Sequence, residues 1–374
     1  MDWRRLPIEV ESPEEIGYDR IRCNLAESSV PDMRLEALAL DLADIVLQYG
    51  DHRGHGGLRS LVAAGAPALD ADDVLLTAGA AGALFLVATA LLRPGDHAIV
   101  VRPNYATNLE TPRAIGAHLD PVDLSHEAGW SLDPDRIRAR MRPATKLVSI
   151  TTPHNPTGAV LDADTLAELV SIVEQWPDAR LLVDETYRDL TYSGSPPSAA
   201  ALGECVVAVS SLSKAYGMPG IRLGWVITRD PQLRETLLAA KEQMAITGSV
   251  VDEAIGYEAL RRRGEILPAI LGDVRGALRT VRSWIETSGV FEWVEPRGGA
   301  VCFPRFRPEI EVDAHTFHRV LFEEFGTFVG RGRWFEQPDT SFRLGFGWPS
   351  AERLAEGLRA LDLAAARAID DHVR

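Results

Sequence analysis

Between residues 74 and 230, short β-branched and aliphatic runs alternate with amphipathic stretches. Such alternation predicts βαβ units and a mostly parallel sheet with helices on both faces. The composition suits a globular chain of this kind, since 46% of the 374 residues are hydrophobic and 25% are charged. The predicted strands are Val74–Leu76, Ala98–Val101, Lys146–Thr151, Arg180–Asp184, Cys205–Ser210 and Gly224–Thr228, and the predicted helices between them are Ala80–Leu92, Asp133–Met141 and Ala163–Trp176.

After residue 230 the pattern changes to long helices followed by short strands punctuated by glycine and proline. This change predicts a second, smaller α+β domain. We expect an N-terminal arm that also contributes to the small domain (1–45), a large domain (46–265) and a C-terminal small domain (266–374). The predicted elements are the helices Gln232–Met244, Val250–Arg263, Pro268–Gly289, His315–Phe325 and Ala351–Ala365, and the strands Phe291–Val294, Ala300–Phe303 and Phe342–Phe346.

Charge and cysteine content exclude several classes of protein. The net charge of −15 opposes binding to nucleic acid and to anionic membranes, so we expect neither as a partner. Cys23, Cys205 and Cys302 are odd in number and far apart, which predicts a reducing, cytoplasmic location without a disulfide framework. His52 and His55 offer too few ligands for a metal, and we expect no metal site.

The segment from Ser210 to Arg222 (SSLSKAYGMPGIR) is the strongest local feature. Lys214 in this segment follows directly on an apolar strand, where burial of an ammonium group is costly. Either the lysine reaches solvent along its aliphatic stem, or it is a catalytic amine whose pKa is lowered by its site. The hydroxyl and guanidinium groups of Ser211, Ser213 and Arg222 suit a phosphate better than they suit packing.

Two polar side chains, Asp184 and Arg343, stand where burial demands a partner, and a third, Asn155, lies in a restricted loop. Asp184 ends an apolar strand, so it needs a cation, unless it caps a helix. Arg343 lies in the apolar strand Phe342–Phe346 and needs an anion. Asn155 lies in the string PHNPTG (153–158), whose prolines restrict the loop.

Glycines and tyrosines give weaker signals. The string TAGAAGAL (77–84) lets backbone N–H groups at a helix start approach an anion, although close helix–strand packing explains its glycines equally well. Tyr105, after a strand in Pro-Asn-Tyr, is either a core residue or a ring that stacks on a flat ligand. Tyr49 precedes GHGGLR (54–59), which taken alone is typical of a glycine-rich surface loop.

In this order and spacing, these segments resemble the motifs of class I/II aminotransferases, which are fold-type I enzymes dependent on pyridoxal 5′-phosphate (PLP). The resemblance extends from about Tyr49 to Arg343. It implies an α/β fold in which a mostly parallel seven-stranded sheet lies between helices, with a smaller α+β domain beside it. It also implies a homodimer, in which Tyr49 reaches the PLP phosphate of the other subunit.

The resemblance further implies roles for single residues. Lys214 forms a Schiff base with PLP and then acts as the general base. Asp184 pairs with the pyridine nitrogen, Tyr187 and Asn155 contact the phenolic oxygen, and Tyr105 stacks on the ring. The family often has a hydroxyl residue where this chain has alanines, so backbone donors or the other phosphate ligands must compensate. The implied phosphate-binding residues are Ala80, Ala81, Ser211, Ser213 and Arg222.

By the same resemblance, Arg343 and Asn155 bind the substrate, with Arg343 on the α-carboxylate. The implied activity is ping-pong transamination between an α-amino acid and a 2-oxo acid. The same residues also serve a lyase that catalyses C–S β-elimination or decarboxylation, or an oxidase or cyclase of arginine, to which the Lys214 and Arg343 segments are similar. Glu27 stands where many members have a glycine-containing string; it either meets a cationic substrate side chain or is a hydrogen-bonded loop residue. The role of Arg297, in the turn PRGG (296–299), stays open.

Overall fold

Thirteen strands and twelve helices make up the part of the chain that the computed structural model describes, residues 2–372. The strands are β1 (Cys23–Leu25), β2 (Val74–Ala78), β3 (His97–Arg102), β4 (His118–Asp123), β5 (Thr145–Thr151), β6 (Arg180–Asp184), β7 (Val206–Ser211), β8 (Leu223–Thr228), β9 (Phe291–Glu292), β10 (Val301–Cys302), β11 (Arg305–Phe306), β12 (Thr327–Arg331) and β13 (Phe342–Gly345). The helices are α1 (Pro7–Val10), α2 (Pro13–Ile16), α3 (Gly56–Ala63), α4 (Gly79–Leu91), α5 (Ala106–Ile115), α6 (Pro134–Arg138), α7 (Ala163–Glu174), α8 (Pro231–Met244), α9 (Val250–Arg261), α10 (Arg263–Thr287), α11 (Ala314–Glu323) and α12 (Ala351–His372).

Seven of these strands form the central sheet, in the order β2-β8-β7-β6-β5-β3-β4. Only β8 runs antiparallel to its neighbours, so the prediction of a mostly parallel seven-stranded sheet is confirmed. Strands β7 and β8 are buried along their whole length because helices cover both faces of the sheet.

The edge strand β4 is not predicted by the sequence pattern. Its sequence HLDPVD is largely half-buried or exposed and contains Pro121. Proline is tolerated at the edge of a sheet, where the missing N–H costs no ladder hydrogen bond. A polar edge strand with a proline therefore does not resemble the apolar runs that mark the six predicted strands.

A second sheet joins the two ends of the chain, in the order β1-β12-β13-β10. Strand β1 pairs in parallel with β12, with Cys23 opposite Thr327. The N-terminal segment therefore shares a sheet with the C-terminal part, while the predicted boundaries at 45 and 265 stay predictions. The long helix α10 begins at Arg263, earlier than the predicted Pro268, and carries that proline inside it.

Aspartate and serine side chains fix the starts of several helices. Asp162 accepts a hydrogen bond from the N–H of Thr165 at the start of α7, and Asp230 accepts two at the start of α8. Such caps satisfy backbone donors that have no partner within the helix. Within residues 2–372, no helix combines the length and the apolar character that crossing a membrane requires.

Candidate active site

The parallel strands β5 and β6 end at the same edge of the sheet, because Thr151 lies opposite Asp184. Asn155 follows β5, Asp184 ends β6 and Lys214 follows β7. Ligands of open α/β sheets bind at this carboxyl edge. The fold therefore brings together three residues that are far apart in the sequence.

Lys214 is largely enclosed, and its backbone carbonyl accepts a hydrogen bond from the N–H of Val30. Desolvation lowers the pKa of its amine, and the positive charges of Arg343 and Arg222 lower it further. Glu27 opposes this shift, since its carboxylate raises the same pKa. A lysine in these surroundings holds a larger fraction of neutral amine than one in water.

Asp184 is 5% exposed and accepts hydrogen bonds from the backbone N–H and the hydroxyl of Thr186, at 3.0 and 2.6 Å. Burial raises the pKa of its carboxyl group in spite of these bonds. Among residues 2–372, no lysine, arginine or histidine forms an ion pair with it. A cationic ring nitrogen is therefore a partner that this site accommodates.

An asparagine pair beneath Asp184 was not predicted. Asn108 donates to Oδ1 of Asn104 at 3.1 Å, and its own Oδ1 accepts a hydrogen bond from Ser149. Asn108 also lies close enough to Asp184 to lower its pKa. Only Asn108 lies in α5, and Asn104 precedes the helix, so no helical pattern in the sequence marked the pair.

Two tyrosines border the same space. Tyr187 is 3% exposed, and its hydroxyl has no partner of good hydrogen-bond geometry in the described chain. Burial raises its pKa to about 12, so the group remains a protonated donor at neutral pH; the nearby Ser28 hydroxyl acts in the opposite direction. Tyr105 packs against the core, and burial raises its pKa as well. Electrostatic effects of Asp184 and Arg222 on Tyr105 place it among the other predicted site residues.

Arg343 is buried and donates from Nη1 to Oδ1 of Asn155 at 3.1 Å and from Nη2 to the carbonyl of Ala26 at 2.7 Å. Its guanidinium carbon lies 5.2 Å from the centroid of the Phe335 ring and 5.8 Å from that of Trp334. Its Nε has no acceptor in the described chain, and burial lowers the pKa of the group. A buried guanidinium group of this kind still requires an anion, and a carboxylate matches its geometry.

The start of α4 forms an anion-binding corner. Gly79 has φ +72°, and a Cβ atom there would lie 2.6 Å from Nη2 of Arg222. A Cβ atom at Gly224 would lie 2.7 Å from the backbone nitrogen of Ala80. Two positions without side chains thus let the guanidinium and β8 approach the helix start, where the N–H groups of Ala80 and Ala81 have no helical acceptor.

The Lys214 segment adds hydroxyl groups to this corner. Ser211 and Ser213 are both buried, and the backbone N–H of Ser213 donates to Oγ of Ser211 at 3.3 Å. Backbone donors, hydroxyls and a guanidinium together are the donor set that a phosphate monoester requires. The residues present therefore fit PLP, with its phosphate at α4 and its ring near Asp184.

Glu27 faces the site from the N-terminal segment. The hydroxyl of Tyr18 donates to its Oε1 at 3.1 Å, and Nδ2 of Asn24 lies 3.4 Å from the same oxygen. The carboxylate acts electrostatically on both Lys214 and Arg343. It is therefore a hydrogen-bonded loop residue that places a negative charge beside the site, and its contact with a cationic substrate side chain stays a prediction.

Tyr49 is the predicted residue that a single chain does not bring to the site. Its side chain is 79% exposed, next to the exposed Val46 and Leu47. The predicted contact with a phosphate needs a second subunit and stays a prediction.

Arg297 lies outside the site too; its guanidinium donates to the carbonyl of Val160. The described residues contain no group of three or more His, Cys, Asp or Glu side chains placed to hold a metal.

An enclosed lysine, a buried aspartate and a corner that suits a phosphate, all at the edge of this sheet, are typical of a fold-type I PLP enzyme. The family model for "Aminotransferase class I and II" matches residues 23–361. The chain therefore belongs to this family of PLP-dependent enzymes.

Similar proteins include both transaminases and cyclases. Capreomycidine synthase of Streptomyces vinaceus is 33% identical over 324 residues, which is 86% of this chain and 82% of that protein. An arginine–pyruvate transaminase of Pseudomonas aeruginosa is 30% identical over 343 residues (85% and 82%). A PLP-dependent aminotransferase from Streptococcus suis has a TM-score of 0.90 at 30% identity, covering 98% of this chain and 99% of that one. The PLP-dependent cyclase OrfR has a TM-score of 0.87 at 25% identity (100% and 99%).

Proposed function

We propose that the protein is a PLP-dependent aminotransferase that moves the amino group of an α-amino acid to a 2-oxo acid, with Lys214 as the cofactor-binding lysine. One observation carries the proposal. Asp184 and Arg343 are buried and Lys214 is largely enclosed within one site, and none of them forms an ion pair within residues 2–372. Each therefore lacks the kind of partner that a cofactor or a substrate provides.

When bound, PLP supplies an electron sink that stabilises negative charge at the substrate Cα. Arg343 binds the α-carboxylate and so fixes the orientation of the Cα–H bond. The Nζ of Lys214 would take the proton from Cα and deliver it to C4′ of the cofactor, a task that requires the neutral amine. Asp184 holds a positive charge at the ring nitrogen. Tyr187 and the free Nδ2 of Asn155 are hydrogen-bond donors for the phenolic oxygen.

Glu27 supports a cationic amino acid as the donor. Tyr18 orients the carboxylate of Glu27 through a hydrogen bond. Glu27 follows Ala26 in the sequence, and the carbonyl of Ala26 accepts a hydrogen bond from Arg343, the residue proposed to bind the α-carboxylate of the substrate. A substrate held there by its α-carboxylate would have this negative charge near its side chain. The transaminase that is 30% identical is named for arginine, which agrees with a guanidinium at this position.

The test uses the PLP-loaded enzyme without an oxo acid. Amino acids are added singly, and the visible absorbance of the bound cofactor is followed. Transamination predicts that the band is lost with the donor and recovers when a 2-oxo acid is added. Citrulline is the matched control for arginine, since it has nearly the same shape without the positive charge. An absence of any spectral change with every amino acid would refute the proposal.

The variant Glu27→Gln tests the side-chain pocket separately. Loss of one charge-assisted hydrogen bond costs about 1.5–3 kcal/mol, so kcat/KM for arginine should fall about 10- to 150-fold. The value for a neutral donor should change little. Equal losses for arginine and for neutral donors would show that Glu27 only supports the loop.

Cyclisation or elimination is the second candidate, because capreomycidine synthase and OrfR are similar to this chain. Lys214, Asp184 and Arg343 serve such reactions as well, since all of them begin with loss of the Cα proton. The distinguishing result is turnover of an amino acid with a leaving group at Cβ when no oxo acid is present. Release of ammonia and pyruvate, or of a cyclic guanidine, would replace the transaminase assignment.

We also propose a cytoplasmic homodimer. The exposed side chains of Val46, Leu47 and Tyr49 support an interface there, and all three cysteines are free thiols. Light scattering of the PLP-loaded enzyme measures the oligomeric state. Tyr49→Phe should weaken PLP binding only if this tyrosine reaches the cofactor of the other subunit; unchanged PLP affinity would contradict that role.

A further inference from the structure

A cavity of about 360 Å³ lies beside the Asn155 loop, with His154 and Thr157 in its lining. Its walls come from the ends of β3 and β5, the turn at residues 129–132, the start of α7 and residues 294–297. None of the predicted catalytic, cofactor or substrate residues lines it. We propose that it is a second binding site, for a small apolar carboxylate, and that its occupancy changes how Arg343 binds the amino acid substrate.

The turn that carries Trp130 has an unfavourable backbone. Gly129 has φ +65° and Trp130 has φ +58°, a left-handed conformation that is rare for a bulky residue. Strain of this kind persists where the surrounding structure requires it, and it is concentrated at functional sites. Here it holds the Trp130 indole in the cavity wall.

The indole also lacks a hydrogen-bond acceptor. Trp130 is 6% exposed, and its Nε1 has no acceptor among the described residues. Buried indole N–H groups usually have a partner. About half of the other lining residues are aliphatic, with Val101, Leu132 and Ile150 among them. The indole therefore contributes an apolar ring to the wall, and a ligand with an apolar body fits against it.

Arg297 gives the ligand its charge. It is an exposed cation that lines the cavity, and its backbone N–H donates to the carbonyl of Gly158 at 2.8 Å. Both acidic residues of the lining already have partners. Glu295 pairs with Arg282, and Asp162 caps α7. The guanidinium has donors left after its bond to Val160, and a carboxylate is the anion that they fit.

Two sets of contacts connect the cavity with Arg343. Ring contacts run from Trp130 to Phe303 and from Phe303 to Phe335, at centroid distances of 5.9 and 5.7 Å. The Phe335 ring lies under the guanidinium of Arg343.

The second connection is the Asn155 loop itself. His154 and Thr157 line the cavity and bond to each other at 2.8 Å, and Asn155 between them accepts the hydrogen bond from Arg343. Filling the cavity therefore acts on both supports of the carboxylate-binding arginine.

The probe is phenylacetate, which carries neither an amino nor a 2-oxo group and so cannot be turned over. Thermal unfolding of the PLP-loaded enzyme measures its binding, and phenylacetamide is the uncharged control. We expect phenylacetate to raise the melting temperature and phenylacetamide to do so much less. Arg297→Gln should weaken phenylacetate binding about tenfold, the scale of one charge-assisted hydrogen bond.

Steady-state kinetics then separate this site from the active site. Saturating phenylacetate should change KM for the amino acid to a limiting value, and this effect should disappear in Arg297→Gln, whose kinetics without the probe stay normal. Purely competitive inhibition that persists in Arg297→Gln would mean that phenylacetate binds at Arg343, and would overturn the proposal. No stabilisation by phenylacetate would overturn it as well. Because melting needs no turnover, these results do not depend on which reaction the enzyme catalyses.

Discussion

Two glycines of α4 give a matched test of the anion-binding corner. Gly79→Ala puts a Cβ atom at a position with φ +72°, 2.6 Å from Nη2 of Arg222. Gly82→Ala, in the same helix, puts one 3.4 Å from the Cβ atom of Ala78, which is ordinary contact. The two substitutions are chemically identical and differ in the backbone conformation at the site and in what the added methyl group meets.

The two substitutions should have opposite effects on the free energy of unfolding. A left-handed backbone costs an alanine about 1–2 kcal/mol, so Gly79→Ala should destabilise the apo enzyme by that amount. The displaced guanidinium of Arg222 should also lose its charge-assisted hydrogen bond to the PLP phosphate, worth about 1.5–3 kcal/mol, which weakens PLP binding about 10- to 150-fold. Gly82→Ala should leave PLP binding unchanged and stabilise the helix by about 1 kcal/mol.

Urea unfolding of the apo enzymes measures the first effect, and titration with PLP, followed by its visible absorbance, measures the second. Equal PLP affinity in the two variants would show that Arg222 does not hold the phosphate. If Gly79→Ala proved as stable as Gly82→Ala, the left-handed conformation at this helix start would be refuted.

Three further predictions follow from the titratable groups. Lys214→Ala should reduce turnover by about a thousandfold or more, because the base is lost, while Lys146→Ala, which removes a surface ion pair with Asp178, should leave kcat unchanged. Glu27→Gln should move the acidic limb of the kcat profile to lower pH, because the carboxylate raises the pKa of the Lys214 amine, which is free to titrate once the substrate is bound, and activity is lost as pH falls through that pKa; a shift to higher pH would contradict this. Burial lowers the pKa of His318 to about 4, so the stability that this neutral histidine contributes is present above about pH 6.5 and is lost toward pH 4. His318→Asn should therefore flatten the fall in the free energy of unfolding between those pH values, measured in urea, and an unchanged slope would show that other groups cause it.

The sequence was sufficient for the central sheet because its buried strands are continuous apolar runs. Strands β5 to β8 were predicted to within a few residues for this reason. The edge strand β4 was not, since aspartates and Pro121 alternate with its apolar residues. Strand β1 is three residues long and becomes a strand through pairing with β12, about 300 residues away, which no local pattern records.

The residues of the site also fall into those that the sequence predicts and those that it does not. Residues that follow a strand directly, such as Asp184 and Lys214, could be found from the change of an apolar run into a polar group. Contacts between distant segments could not be found from local pattern. Asn155 lies 188 residues from Arg343 and Ala26 lies 317 residues from it, yet both hold its guanidinium. The Asn104–Asn108 pair and the strained turn at Trp130 likewise depend on tertiary packing.

A network of paired charges lies next to the site and has a structural role, in contrast to the unpaired groups of the site. Arg188 lies 3.6 Å from carboxylate oxygens of both Glu185 and Asp189. The hydroxyl of Tyr216, two residues after Lys214, donates to Asp189 at 2.7 Å. Each group in this network has a partner within the chain, so the network fixes the segment that carries Lys214 without needing a ligand.

The three buried groups of the site differ in that respect. Lys214, Asp184 and Arg343 form no ion pair with any of residues 2–372, and burial shifts each pKa toward the neutral form. Burying charges without partners costs several kcal/mol per group, a cost that packing alone gives no reason to retain. Perturbed groups of both signs that converge on one sheet edge are typical of a catalytic site. The contrast with the paired network beside them, more than the presence of any single residue, supports the proposal that these three groups bind the cofactor and the substrate.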